Sequence, residues 1–214
     1  MPRDEPHRRW VPARGVERLT TLRPDLQIIA ENVSHGARVL DVGCGDGALM
    51  AALRDGRQVR ARGLELNPGN VSAAVTRGLS VIQGDADTDL ADYPSDSVDY
   101  AILSQTLQTT RAPHLVLEEL LRIGRQAFVS FPNFAHWRIR ASLLTRGRMP
   151  VTRLLPENWY NTPNIHHVSI DDFRDLIAQR GWTCDGEWFL SGGKPTSRGL
   201  ANLLAEHAVF LLRR

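Results

Sequence analysis

The sequence predicts an α/β domain whose sheet is mostly parallel and twisted, with helices on both faces. Three observations carry that expectation. Short β-branched apolar runs alternate with segments of helical periodicity from residue 24 to residue 131, glycine or proline marks most handovers, and 42% of the 214 residues are hydrophobic. Parallel neighbours need long crossovers, and a helix-length segment between strands supplies one. An apolar share of that size fills one sizeable core, so residues 1–214 are expected to form a single domain with no linker.

The elements follow in order. Residues 1–20 read as a loose arm feeding a helix from Pro24 to Val33, where Leu26, Ile28, Ile29 and Val33 recur near helical spacing until His35-Gly36 ends the run. Arg38 to Val42 is a strand, followed by Gly43, Gly45 and Gly47 and a helical pattern from Ala48 through Leu53. Val59 to Leu66 is a second strand, and Pro68 opens a helix to about Arg77, since proline's missing N–H is no loss in a first turn. Leu79–Gln83 is a third strand and Ser97–Leu103 a fourth. A helix opened by Ala112-Pro113 carries Leu117, Leu120 and Leu121, and Ala127–Phe131 is a fifth strand.

Beyond it the pattern changes. Residues 132–168 are expected to form an insertion or lid, with a helix at Trp137–Leu144 and a long irregular stretch from Arg146 to His167; structureless loops of that length commonly serve as lids or binding surfaces. Ser169-Ile170-Asp171-Asp172 resembles a capping box for a helix that Gly181 stops, and Trp182–Leu190 and Ala208–Leu212 are two final strands.

Composition excludes several classes. Lys and Arg number 26 against 24 Asp and Glu, a net charge of +2, so no nucleic acid or membrane surface is expected as partner. Two cysteines, Cys44 and Cys184, make no disulfide framework, and without a C-x-x-C or histidine-rich cluster no metal site is expected. The charged N-terminus lacks the apolar stretch of a secretory signal, and no apolar run approaches the roughly 20 residues that span a bilayer. A soluble cytoplasmic protein is the expectation.

Chemistry concentrates at Asp41-Val42-Gly43-Cys44-Gly45-Asp46-Gly47, where a strand hands over to a helix. Glycines permit a tight turn and close approach of a ligand, and a helix N-terminus offers unpaired N–H groups. The spacing also satisfies the dinucleotide pattern through Gly43, Gly45 and Ala48, so the turn alone does not exclude NAD. Glu65, at the end of the second strand, stands where a carboxylate accepts both ribose hydroxyls, and Asp85, after the third strand, could accept an exocyclic adenine amine. Asp41 adds negative charge where a pyrophosphate would sit, which favours a ligand carrying an amine or sulfonium.

Leu40–Gly47, Gly63-Leu64-Glu65-Leu66, Gly84-Asp85-Ala86-Asp87 and Ser97–Leu103, in this order and spacing, resemble the successive motifs of class I S-adenosylmethionine-dependent methyltransferases. The resemblance implies a Rossmann-like fold of about seven strands with an antiparallel final strand. More narrowly, Glu65-Leu66-Asn67, Ser104–Gln108, Ser130–Phe134, His136-Trp137-Arg138 and Trp159–His166 resemble the MetW family of methionine-biosynthesis proteins, over nearly all the chain after residue 15. It implies S-adenosylmethionine or S-adenosylhomocysteine as cofactor and the homoserine O-acyltransferase MetX as partner. Carried over, Gly43, Cys44, Gly45 and Gly47 would wrap the methionine part beside Asp41, Glu65 and Leu66 would meet the ribose, Asp85 and Ala86 the adenine, and Ser104 and Gln105 the sulfonium.

No catalytic residue is assigned. His136, Trp137, Trp159, Tyr160, His166 and His167 could line an acceptor pocket, yet they show no nucleophile or metal spacing, and aromatic packing under a long loop explains them as readily. Arg138, Arg140, Arg146, Arg148 and Arg153 read as a solvated face, a protein-binding surface or a phosphate-binding patch. Two functions compete: a ligand-binding regulatory subunit of the acyltransferase, and an active methyltransferase on a small metabolite.

Overall fold

The computed structural model describes residues 22–152 and 155–214; the expected N-terminal arm and Arg153 lie outside them. The elements are α1 (Pro24–Asn32), β1 (Arg38–Val42), α2 (Ala48–Arg57), β2 (Arg60–Glu65), α3 (Pro68–Thr76), β3 (Ser80–Gln83), β4 (Val98–Ser104), α4 (Pro113–Ile123), β5 (Gly124–Pro132), α5 (Trp137–Arg146), α6 (Ile170–Arg180), β6 (Thr183–Ser191), β7 (Lys194–Pro195), α7 (Ala201–Leu204) and β8 (His207–Arg213). Short 3-10 turns lie at Asp89–Asp92, Leu107–Thr109 and Arg198–Leu200.

One sheet runs β3-β2-β1-β4-β5-β8-β6-β7. Strands β1 to β5 pair in parallel, while β8 is antiparallel to both β5 and β6. The α/β, mostly parallel class is as predicted, with eight strands among the described residues in place of about seven. The addition is β7, two residues that the Gly192-Gly193 turn folds back onto β6. So short a strand leaves no periodicity to read.

Alternation along the strands divides the core between the two faces. Leu40, Val42, Val129, Phe131 and Phe210 pack with α4 and α6 through Leu117, Leu120, Leu121, Phe173 and Ile177. Val39, Ile102, Phe128 and Val209 face α1 and α2 through Ile28, Ile29, Leu49 and Leu53. Covering both faces explains why the central strands read as continuous apolar runs. The strand order turns at β1, which has β2 on one side and β4 on the other, and the carboxyl ends there open into the crevice where such sheets hold ligands.

Helix α6 starts at the expected cap, where Ser169 Oγ accepts the Asp172 N–H at 3.1 Å, and stops at Gly181 with φ of +67°. The stretch between α5 and α6 has no helix or strand among its described residues, in keeping with its expected irregularity.

Candidate functional site

At the end of β1 the backbone turns sharply into α2. Gly43, Gly45 and Gly47 have φ of +70°, +57° and +78°, a region other L-residues rarely enter. A methyl group on Gly43 would collide with Thr106, and one on Gly47 with Leu79; one on Gly45 would meet nothing within 4 Å, so the turn has an open face there. Two of the glycines close the turn against the protein, and the third leaves room for a ligand.

Glu65 bounds that room. Its Oε2 accepts the Gly45 N–H at 2.7 Å, while Oε1 accepts the Asn67 N–H at 2.9 Å and a bond from Asn70 Nδ2 at 3.4 Å. The carboxylate is buried and pinned between the turn and the start of α3, so its remaining lone pairs have a fixed direction. Asp41, one strand inward, is 2% exposed. Burial pushes its carboxyl up to about 7, against the pull of the Arg23 cation and with a further push from Glu65. Cys44 lies beside them with its thiol pushed up to about 12, by burial first and then by Asp41, Glu65 and Asp46, so it is a packing residue of the turn. Leu66 lies past the strand end and is exposed.

The next strand tip carries a network that the sequence reading did not foresee. Asp25, in the first turn of α1, accepts Ser104 Oγ–H at 3.0 Å and Ser130 Oγ–H at 2.8 Å, and the Arg23 guanidinium bridges Asp25 and Ser104 at 3.3 and 2.9 Å. The Ser104 hydroxyl, expected at the sulfonium, is thus engaged in a buried cluster, and Arg23 stands at its margin. An acid following proline at a helix start reads from sequence as a complement to the helix dipole, which hides this longer-range role.

Gln105 has φ of +55°, unusual for a side chain of its size. The conformation is held from several sides. Its N–H donates to the Ser130 carbonyl at 2.8 Å, its carbonyl accepts Gln108 Nε2 at 2.7 Å, and its side-chain amide meets His207 Nδ1 at 2.9 Å. A cavity of about 150 Å³ opens beside it, bounded by Arg23, Asp25, Leu190, Glu206 and His207.

Asp85 lies at the far end of the crevice. Its Oδ1 accepts the Asp87 N–H at 2.9 Å and its Oδ2 meets Arg111 Nη2 at 2.7 Å. Ala86, half-buried, packs on the core behind it. Burial alone would raise the Asp87 carboxyl, yet the N–H groups of Arg111 and Ala112 and the Arg111 guanidinium hold it below the usual range.

The six aromatic and histidine residues do not gather around one point. His136 caps α5 through its ring, is buried, and has its imidazole shifted down by desolvation against the pull of Glu206. Trp137 lies beneath the Arg138 guanidinium at 5.3 Å, His167 meets Phe134 edge-on at 4.6 Å, and Trp159 pairs with Tyr160 at 5.6 Å. His166 reaches the Arg111 carbonyl.

Comparisons bear on what this arrangement is. The family described as Methionine biosynthesis protein MetW matches residues 23–212. A bifunctional methionine biosynthesis protein MetXA/MetW from Rhodopirellula baltica is 37% identical over 206 residues, which cover 91% of this chain and 33% of that protein, so the chain spans about a third of its relative. Among solved structures, a SAM-dependent methyltransferase from Archaeoglobus fulgidus aligns with a TM-score of 0.67 at 12% identity, over 92% of this chain and 94% of that one. An S-adenosylmethionine-dependent methyltransferase from Mesorhizobium loti aligns with a TM-score of 0.65 at 17% identity, over 92% and 100%. Identities this low establish the class I methyltransferase fold and nothing of the reaction. The extent of the family match and the 37% identity establish more: the chain belongs to the MetW family of methionine biosynthesis proteins.

Proposed function

We propose that this chain folds as one domain that binds S-adenosylmethionine or S-adenosylhomocysteine along the carboxyl ends of β1, β2, β3 and β4, and in that form supports or regulates a homoserine O-acyltransferase. The observation that carries the ligand is the buried Glu65 carboxylate fixed to the open face of the glycine turn, with Asp41 behind it. Gly43, Cys44, Gly45 and Gly47 would hold the methionine part, Glu65 and the adjoining Leu66 the ribose, Asp85 and Ala86 the adenine, and Ser104 and Gln105 the sulfonium side. Glu65 and Asp85, joined by Asp41 once it ionises, repel a pyrophosphate and suit an amine and a sulfonium. When bound, S-adenosylmethionine would supply an activated methyl group, and the chain's own residues would orient it, Glu65 by its fixed carboxylate.

The partner reading is supported by the relative whose name joins MetXA and MetW in one polypeptide. We assign the contact to the α5 side. Leu144 and Trp159 are 89% and 76% exposed, Tyr160 is exposed close by, and Arg138, Arg140, Arg146 and Arg148 line the same stretch. Large apolar and arginine side chains are the types that anchor interfaces. Among the described residues no helix is long and apolar enough to cross a membrane, and Cys44 and Cys184 are free, which supports a place in the reducing cytoplasm.

A second reading, methyl transfer to a small metabolite, is favoured by the cavity beside Gln105. Calorimetric titration with S-adenosylhomocysteine, with and without the acyltransferase, tests the first. Binding whose affinity changes when the acyltransferase is present is expected, since linkage is reciprocal. Tighter binding of NAD overturns the ligand assignment, and steady methyl transfer to a small acceptor favours the second reading.

A further inference from the structure

We infer that Arg111 gates the adenine end of this site and couples its occupancy to the segment joining α5 to α6. The inference rests on the reading of Asp85 as the adenine acceptor. In the structure Arg111 Nη2 lies 2.7 Å from Asp85 Oδ2 and its Nε 3.4 Å from Asp87, while the other Asp85 oxygen takes the Asp87 N–H. A neutral adenine amine approaching Asp85 Oδ2 therefore competes with a charged donor already in place. The displacement is easy, because the Arg111 side chain is 65% exposed and exposed ion pairs contribute little.

The backbone of the same residue is tied elsewhere. The Arg111 carbonyl receives the His166 ring at 3.4 Å, and three residues earlier the Gln108 carbonyl accepts the N–H groups of Ile165 and His166 at 2.8 and 3.0 Å. Residues 107–111 thus form a joint, with the adenine acceptor on one side and the 165–166 backbone on the other. The joint is incompletely satisfied. Gln108 is 4% exposed, its Nε2 binds the Gln105 carbonyl, and its Oε1 is buried with no hydrogen-bond partner among the described residues. Buried amides almost always find partners, and this orphan sits at the fastening point itself. Withdrawal of Arg111 from Asp85 shifts the joint and loosens Ile165 and His166, which lead back to the exposed Trp159 and Tyr160. Ligand occupancy is thereby read out on the face proposed to meet the acyltransferase.

Full-length wild type, Arg111→Ala and Arg111→Gln are titrated calorimetrically with S-adenosylhomocysteine, and exchange of the Ile165 and His166 amides is followed with and without it. Both variants should bind about three- to tenfold more tightly. In wild type the ligand should speed exchange at the two amides, and in the variants exchange should no longer respond. Equal or weaker binding by the variants, or exchange that ignores the ligand in wild type, overturns the gate while leaving the ligand assignment standing. No binding by any of the three folded proteins overturns the ligand assignment, and the gate with it.

Discussion

Around the glycine turn, Glu65 is buried under three hydrogen bonds and Asp41 is sealed inside the strand end, whereas Leu144 on α5 and Trp159 and Tyr160 beyond it hold large side chains out in water. The first region is complete within the chain: its groups are held by neighbours no more than about a strand away. The second is held at a few points, by the Phe134–Ile139–Leu155 cluster and the bonds that Ile165 and His166 donate to the Gln108 carbonyl, and leaves Leu144, Trp159 and Tyr160 exposed. Large side chains left this exposed are the kind that a contact covers. On the proposed reading, the difference separates what this domain would do alone, holding a small ligand, from what it would need a partner to finish.

The largest expected effect probes the completeness of the first region. Asp41 is more readily protonated folded than unfolded, its carboxyl rising from 3.8 to about 7. Its contribution to stability is therefore full below about pH 4 and is lost as pH rises through about 7. Asp41→Asn cannot ionise, so above that range the variant should gain on wild type, by at most about 4 kcal/mol. Denaturant midpoints of both proteins at about pH 5 and about pH 8 check this; a difference independent of pH refutes it. The same ionisation should make wild-type affinity for S-adenosylmethionine rise over the same interval.

Gly43→Ala should come next. Its methyl group meets Thr106 and its backbone needs φ of +70°, so a loss of about 2–4 kcal/mol is expected by urea unfolding, from left-handed strain and overpacking together. Glu65→Ala acts on binding. Two ribose hydrogen bonds to a charged acceptor are each worth about 1.5–3 kcal/mol before water compensates, so at least tenfold weaker binding of S-adenosylhomocysteine is expected, and unchanged affinity would falsify the cradle.

The second region should behave in the opposite way. Leu144→Ser and Trp159→Ala should change stability by less than about 0.5 kcal/mol. Arg146→Glu with Arg148→Glu should abolish co-elution with the acyltransferase at micromolar concentration, where association is worth about 8 kcal/mol, and leave ligand affinity intact. If either pair unfolds the protein or weakens ligand binding instead, the two regions are not separable as proposed.

The same contrast explains what could be read in advance. The parallel half was legible because its signals are local: apolar alternation, prolines at the starts of α3 and α4, and glycines at the turn. Glu65 and Asp85 were legible as candidates by their place after strands, although the Arg111 pair on Asp85 was not. The Asp25–Ser104–Ser130 cluster was invisible because its members are 79 and 105 residues apart from Asp25 and meet only through the sheet order. The positive φ of Gln105 was equally hidden, since glutamine gives no hint of it. For 132–168, composition predicted irregular structure, and nothing in spacing said which side chains would be left outside.

The place of β8 has a consequence for synthesis. It is wedged between β5 and β6, so β6 and β7 join the rest of the sheet only through residues 207–213. As the chain leaves the ribosome, β1 to β5 can assemble early, but β5 then presents a bare edge carrying Phe128, Val129 and Phe131. That edge stays open to pairing with another nascent chain until some 75 further residues have been made, about 4–15 s at ordinary elongation rates. Chaperone dependence during expression should therefore fall on this interval and not on the half that carries the glycine turn.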